Sequence, residues 1–190
     1  MVRLFLIRHG EPQQAWGGSE SDPGLCERGA AQAQHATERL RTEGPLSVLS
    51  SPMRRCRETA APFADLTKAC VLVEPNVSEV ATPAGIADRR AWLQDNFPWR
   101  GANAARHWAT IDPATRGWRE RLLAAVCAID SNSAIFTHFI AINTVVGAAL
   151  NRDETIVCKP DFASITELRL EREILLLMSH GTEMNAGEVG

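Results

Sequence analysis

The sequence contains no closely paired cysteines. Its five cysteines are scattered along the chain, and none belongs to a Cys-x-x-Cys pair. The odd number and wide spacing exclude a zinc-finger pattern and a disulfide framework, which predicts a reducing, cytoplasmic location. The sequence also has no signal-peptide pattern and no apolar run of membrane length, so we expect no membrane partner.

An excess of positive charge is absent as well. The formal net charge is −3 and the isoelectric point is about 6.0, which argues against a nucleic-acid partner. Over 190 residues, 45% are hydrophobic and 23% are charged. These values are typical of a soluble globular protein of ordinary size, so we expect one domain over residues 1–190. The oligomeric state is left open.

Several signatures of phosphate and metal chemistry do not occur. No cysteine is followed by arginine six positions later, which excludes the cysteine-phosphatase loop, and no Asp-x-Asp occurs. Neither lysine follows a glycine, so there is no P-loop. Because no His-Glu-x-x-His or clustered His/Asp set occurs either, we expect no metal site and no cofactor.

The patterns that are present alternate between strand and helix. Strands are predicted at 2–7, 46–49, 70–73 and 134–137, helices at 30–40, 53–61, 83–96, 114–129 and 140–150, and a hairpin at 164–170 and 174–178. Ser51-Pro52 is typical of a helix N-cap followed by a first-turn proline, and Pro62 predicts the end of that helix. The order predicts an α/β fold: a three-layer α/β/α sandwich with a mostly parallel sheet and an antiparallel edge near the C-terminus.

Basic side chains follow three of the predicted strands. His9 and His138 each come directly after an apolar strand, where ligands bind in open α/β sheets. Each histidine taken singly also fits a structural role. Arg54, Arg55 and Arg57 lie in the first turns of a predicted helix, where backbone N–H groups favour an anion. At least one of these arginines is expected to face solvent.

The order of these motifs resembles the histidine phosphatase superfamily, also called the phosphoglycerate mutase-like or branch 1 proteins. Four pieces match in order: Arg8-His9-Gly10-Glu11, then LCERGAAQAQ, SSPMRRCRETA and AIFTHF. They span roughly residues 2–150. The first and third pieces together are specific, whereas the second alone would be weak.

The resemblance implies a metal-independent phosphatase that acts on a small phosphorylated substrate through a phosphohistidine. By this resemblance, His9 is the nucleophile, Arg8 and Arg55 bind the phosphoryl oxygens, and His138 completes the pocket. Arginine suits this role because its flat set of donors matches phosphate and never deprotonates. The nearby cations favour a neutral His9, and a backbone carbonyl is expected to hold one ring nitrogen as a donor.

The resemblance also requires a carboxylic acid after the third strand. Glu79 is our preferred candidate, Glu74 competes with it, and the plain alternative for Glu79 is an ordinary loop carboxylate. Phosphoglycerate mutase activity is the nearest rival function, although such members are usually longer. A non-catalytic module that binds a phosphorylated ligand or a protein is the second rival.

Three positions depart from the family pattern. Ala15 stands where asparagine is frequent, with Gln13 or Gln14 as substitute donors; Phe139 replaces a glycine; and Cys26 replaces a threonine. None removes a charged group, so we interpret them as changes in specificity or rate. Four tryptophans in residues 92–118 either wall a pocket or pack helices together. The remaining histidines are expected at the surface or in structural roles (His35, His107 and His180).

Overall fold

Six strands form one mixed sheet in the computed structural model, which describes residues 1–14, 22–99 and 105–184. The strands are β1 (Val2–Arg8), β2 (Ser47–Ser50), β3 (Val71–Val73), β4 (Ser133–Thr137), β5 (Ile165–Glu171) and β6 (Ile174–Ser179). Their order is β3-β2-β4-β1-β5-β6. The first four strands are parallel, β5 is antiparallel to β1, and β6 is antiparallel to β5. The predicted parallel sheet with an antiparallel edge is confirmed.

Helices cover both faces of this sheet. They are α1 (Glu27–Leu40), α2 (Arg54–Thr67), α3 (Arg89–Asn96), α4 (Pro113–Cys127) and α5 (Phe139–Ala149). Because successive side chains of a strand point to opposite faces, β1 supplies both cores. Phe5 and Ile7 pack with α1 and α2, whereas Leu4 and Leu6 pack with the helices of the other face. This is the predicted three-layer sandwich. In the described ranges, no helix is both long and apolar enough to span a bilayer.

The start of α2 differs from the prediction that Ser51 is its N-cap. The helix begins at Arg54, and its N-cap is Met53, whose side chain makes no capping bond. The Arg54 N–H instead donates to the Asp22 carboxylate, with N···O distances of 2.9 and 3.1 Å. A carboxylate from a distant loop therefore caps the helix, and Ser51 is left for another role.

The end of α2 also differs, because the helix runs through Pro62 to Thr67. Proline has no N–H to continue the helical ladder, which is why we predicted an end there. Phe63 and Ala60, however, are fully buried against the sheet. Burial of side chains of this size outweighs the loss of one backbone hydrogen bond.

The helix predicted at 83–96 is shorter at its N-terminal side. Gly85 has a φ of +86°, a left-handed conformation that interrupts a right-handed helix. The helix α3 begins only at Arg89, because Asp88 caps it by accepting the Ala91 N–H at 2.9 Å.

The loop after β1 and the start of α1 touch backbone to backbone. A Cβ on Gly10 would lie 2.5 Å from the Gly29 carbonyl oxygen, and a Cβ on Gly29 would collide with the Glu11 carbonyl oxygen. Gln32 fixes the same contact by accepting the Glu11 N–H at 2.8 Å. Cys26 caps α1, its sulfur accepting the Gly29 N–H at 3.3 Å. The second sequence motif therefore holds the first motif in place.

We expect Gly29→Ala to lower the free energy of unfolding by about 2 kcal/mol, because backbone atoms must move to admit the methyl group. Gly117→Ala is the matched control. Gly117 lies inside α4, where a Cβ would meet only the flexible Arg121 side chain at 3.4 Å. Gly117→Ala should raise the free energy of unfolding by about 0.5–1 kcal/mol, because alanine is favoured over glycine inside a helix. Urea unfolding measures both, and equal stability of the two variants would contradict the close contact at Gly29.

Candidate active site

The carboxyl ends of β1, β4 and β2 lie side by side. Arg8 is paired with Thr137 in the β1–β4 register, and Ser50 is paired with Phe136 in the β2–β4 register. The residues that follow these strands therefore meet at one edge. The ring centroids of His9 and His138 are 5.3 Å apart, and both rings are buried.

The two ring nitrogens of His9 are in different states. Its Nδ1 lies 2.8 Å from the Gly10 carbonyl oxygen. Because a carbonyl only accepts, Nδ1 carries the proton and Nε2 keeps its lone pair. Burial lowers the pKa of His9 well below its usual range, and the Arg55 and Arg8 cations lower it further. His9 is therefore a neutral imidazole with an available nucleophilic nitrogen.

Arg8 is buried directly beside His9. Its Nη1 donates to the Pro160 carbonyl at 2.9 Å and lies 3.2 Å from the Met184 sulfur. The Phe162 ring lies against its guanidinium, 3.9 Å from centroid to Cζ. Burial lowers the pKa of Arg8 to about 10, so it stays a cation at neutral pH. Its buried Nε has no partner among the described residues, which leaves a donor for an anion.

Arg55 is the one of three neighbouring arginines that faces the histidines. Its Nη2 lies 3.2 Å from Nδ1 of His138, and the side chain is 11% exposed. Arg54 and Arg57 are exposed. Two buried or nearly buried guanidinium groups and two neutral imidazoles thus line one site, an arrangement suited to a phosphate group.

Glu79 is the carboxylate that the fold brings to this site. Its Oε2 accepts the Ile140 N–H at 3.1 Å in the first turn of α5, one residue after Phe139. Burial raises the pKa of Glu79, although the backbone hydrogen bonds from Ile140 and Val80 oppose the shift. Glu74 instead caps a 3₁₀ turn, where its Oε1 accepts the Asn76 N–H at 2.8 Å. A carboxyl group with a raised pKa suits a proton donor.

Phe139 fills the core where the family pattern has glycine. It is 2% exposed. Its ring lies 5.2 Å from Cζ of Arg8 and 6.3 Å from the Trp99 ring. The Phe139 ring therefore lies beside the Arg8 guanidinium, and the N–H of the next residue, Ile140, still donates to Glu79.

Thr59 joins two of the sequence motifs. Its Oγ1 accepts the Gly10 N–H at 2.9 Å and donates to the Arg55 carbonyl at 2.7 Å. Thr59 belongs to the third sequence motif, but the sequence did not predict these two hydrogen bonds. Phe162 and Met184, which contact Arg8, carried no signal, because they lie more than 150 residues away from it in the chain.

The remaining candidates lie elsewhere. Three of the four tryptophans are buried in the core, which favours the helix-packing interpretation (Trp99, Trp108 and Trp118). The three other histidines are exposed, as expected (His35, His107 and His180). Gln13 is exposed, and Ala15 lies outside the described residues. Among the described residues, no three His, Cys, Asp or Glu side chains form a group that could hold a metal ion.

A family model of the histidine phosphatase superfamily (branch 1) matches residues 4–182. The chain belongs to this superfamily. Among curated relatives, it is 27% identical over 128 residues to a probable phosphoglycerate mutase GpmB of Enterobacter sp. (strain 638), covering 65% of this chain and 50% of the relative. It is 33% identical over 85 residues to the corresponding protein of Erwinia tasmaniensis, covering 42% and 39%. The chain thus spans half or less of the length of these relatives.

Two solved structures share the histidine phosphatase fold over almost the whole chain. A mycobacterial glucosyl-3-phosphoglycerate phosphatase matches with a TM-score of 0.74 at 23% identity, covering 97% of this chain and 100% of that one. A phosphoserine phosphatase of Entamoeba histolytica, solved with 3-phosphoglyceric acid, matches with a TM-score of 0.70 at 18% identity, covering 98% and 100%. The fold is therefore that of the superfamily.

We expect the buried histidines of the candidate site to make the stability of this protein fall at acidic pH. Burial, followed by the charges of the nearby Arg55 and Arg8 cations, lowers the pKa of His138 well below its usual range. Below about pH 6.5 the unfolded chain binds a proton at this position and the folded chain does not, so the free energy of unfolding drops. The contribution reaches about 1.4 kcal/mol per pH unit for each histidine.

Urea unfolding of the parent and of His138→Gln across this pH range isolates the effect. The variant should lose less stability between about pH 6.5 and 5, because its side chain does not titrate. The raised pKa of Glu79 has the opposite effect, because it increases the free energy of unfolding as the pH falls. Glu79 is present in both proteins, so this effect cancels in the comparison. Identical pH dependence of the two proteins would show that His138 is not held neutral.

Proposed function

We propose that this member of the superfamily forms one domain over residues 1–190 and is a phosphatase that hydrolyses a phosphomonoester through a phosphohistidine on His9. The observation that carries the proposal is the state of His9: neutral and buried, with Nδ1 bound to the Gly10 carbonyl and Nε2 unprotonated, near the Arg55 and Arg8 cations. A nucleophile of this kind needs no metal ion and no cofactor to act on phosphorus.

In the proposed first step, Nε2 of His9 attacks the phosphorus in line with the leaving oxygen. The phosphoryl oxygens lie against Arg8, Arg55 and His138, which stabilise the charge spread over them in the transition state. The Nε of Arg8, for which the described part of the chain offers no partner, supports this placement, since a bound oxygen would satisfy it. The bond to the leaving oxygen breaks as the bond from Nε2 to phosphorus forms.

Glu79 is proposed as the acid of this step. Its raised pKa favours a proton on the carboxyl group, and its proton passes to the leaving oxygen, so an alcohol departs. The resulting carboxylate then takes a proton from water as the water attacks phospho-His9. Inorganic phosphate is released, and His9 and Glu79 return to their starting states.

Mutase-type phosphoryl transfer is the second candidate. It is favoured by the names of the curated relatives, which are probable phosphoglycerate mutases. Both reactions share the phosphohistidine and differ in whether water or a second hydroxyl group takes the phosphoryl group. A non-catalytic binding module would form no phosphohistidine at all.

The proposed substrate is a small phosphorylated molecule. The fold neighbours named above act on or bind glucosyl-3-phosphoglycerate, phosphoserine and 3-phosphoglyceric acid. These compounds form a sensible first set for a substrate screen. The five free cysteines support a reducing, cytoplasmic location.

We expect His9→Ala to abolish hydrolysis of p-nitrophenyl phosphate, because the nucleophile is gone. The parent protein, quenched during turnover, should carry an acid-labile phosphoryl group on His9, detectable by mass spectrometry. His180→Ala is the matched control: this histidine also follows an apolar strand, but it is exposed, and its loss should not change the rate. Retention of more than a few per cent of activity in His9→Ala would refute the proposed nucleophile.

We expect Glu79→Gln to separate good from poor leaving groups. An alkoxide needs a proton to depart, and loss of a general acid costs roughly 10²-fold or more, whereas p-nitrophenolate leaves without one. The variant should therefore fail on alkyl phosphates and lose little on p-nitrophenyl phosphate. Steady-state rates on both substrates test this. Glu74→Gln should show no such difference, and equal losses on both substrates in Glu79→Gln would assign that residue a positional role.

A further inference from the structure

His138 is held at both ring nitrogens. Its Nδ1 lies 3.2 Å from Nη2 of Arg55, and its Nε2 lies 2.8 Å from Oγ of Ser51. Both His138 and Ser51 are fully buried. The His138 ring is therefore fixed between the Arg55 guanidinium at Nδ1 and the Ser51 hydroxyl group at Nε2.

These partners decide where the proton of His138 is. A guanidinium group only donates, so Nδ1 of His138 must accept. In the neutral ring the proton is then on Nε2, and it is donated to the Ser51 hydroxyl, which can accept it. Cys56 is the other neighbour of Nε2, at 3.4 Å, but thiol sulfur is a weak acceptor.

Ser51 is itself held in place by neighbouring groups. Its N–H donates to the Phe136 carbonyl at 3.0 Å, and its Oγ accepts the Met53 N–H at 3.3 Å. The hydroxyl proton is directed to Oγ of Ser78, 3.5 Å away, the residue before Glu79. The Ser51 oxygen is therefore turned toward His138 as an acceptor.

We propose that Ser51 is a positioning residue that keeps the proton of His138 on Nε2, so that Nδ1 is the nitrogen that takes up a proton beside the phosphoryl group. The inference rests on the proposed function, since it places the phosphoryl group at Arg55. A bound phosphomonoester monoanion brings the required proton: its P–O–H bond breaks and Nδ1–H forms in place of the hydrogen bond from Arg55. The Nη2–H of Arg55 then donates to the phosphoryl oxygens, and the dianion stays paired with both cations. Ser51 accepts from Nε2–H in both states.

Nitrogen-15 NMR of histidine-labelled protein tests the inference without turnover. We expect one His138 Nε2–H signal in slow exchange with water, present in the free protein and in the presence of inorganic phosphate. Addition of phosphate should protonate Nδ1 in addition. Absence of a slowly exchanging Nε2–H from the wild-type spectrum, or its loss on phosphate binding, would overturn the inference.

Variants provide the second test. Ser51→Ala and Ser51→Cys should both lose the slow Nε2–H signal and weaken inhibition by phosphate roughly 10-fold, the scale of one buried hydrogen bond. Ser51→Thr retains the hydroxyl group and should restore both if the inference holds. Ser133→Ala removes another fully buried serine, whose Oγ donates to the Ser131 carbonyl away from the site, and should change neither.

The outcomes distinguish the two proposals. If no phospho-His9 forms but the Nε2–H signal depends on the Ser51 hydroxyl, the phosphatase proposal fails and the contact between Ser51 and His138 remains. If phospho-His9 forms and Ser51→Ala retains the signal and inhibition within twofold, Ser51 has no positioning role. Should Ser51→Ala fail to fold by circular dichroism, the wild-type spectra alone decide.

Discussion

The hydrogen bond from the His9 N–H to the Thr137 carbonyl, 3.0 Å long, fixes the geometry on which the candidate site depends. It continues the parallel pairing of β1 and β4 by one residue beyond Arg8. Because of this register, His9 and His138 leave adjacent strands at the same level. A shift of one residue between the strands would turn one of the two side chains to the opposite face of the sheet.

Around this pairing, the three polar motifs hold one another through backbone contacts. The loop of the first motif lies against Gly29 of the second, where no side chain fits. Thr59 of the third motif accepts the Gly10 N–H and donates to the Arg55 carbonyl. Most residues of the motifs therefore do not line the candidate site. They position the few that do, and this explains why glycine, glutamine and threonine accompany the charged residues.

The sequence was sufficient for the layers of the fold, because strands buried on both faces and helices with one apolar face leave strong patterns. Helix ends were less predictable. The boundary at Pro62 was wrong because burial of Phe63 outweighs a local preference, and Ser51 was misread as a cap because Asp22 reaches α2 from another loop. The strand ends placed His9 and His138 correctly, but contacts such as Phe162 on Arg8 depend on the complete fold.

The surroundings of Arg8 have a consequence for how the chain folds during translation. Arg8 is made before its partners Pro160 and Met184, which follow 152 and 176 positions later in the chain. The neighbours of β1 in the sheet, β4 and β5, are also made late. The strand β1 therefore lacks its partner strands until β4 and β5 have been made. An apolar strand without its partners is exposed to aggregation, and the surroundings of Arg8 are complete only after Pro160 and Met184 have been made.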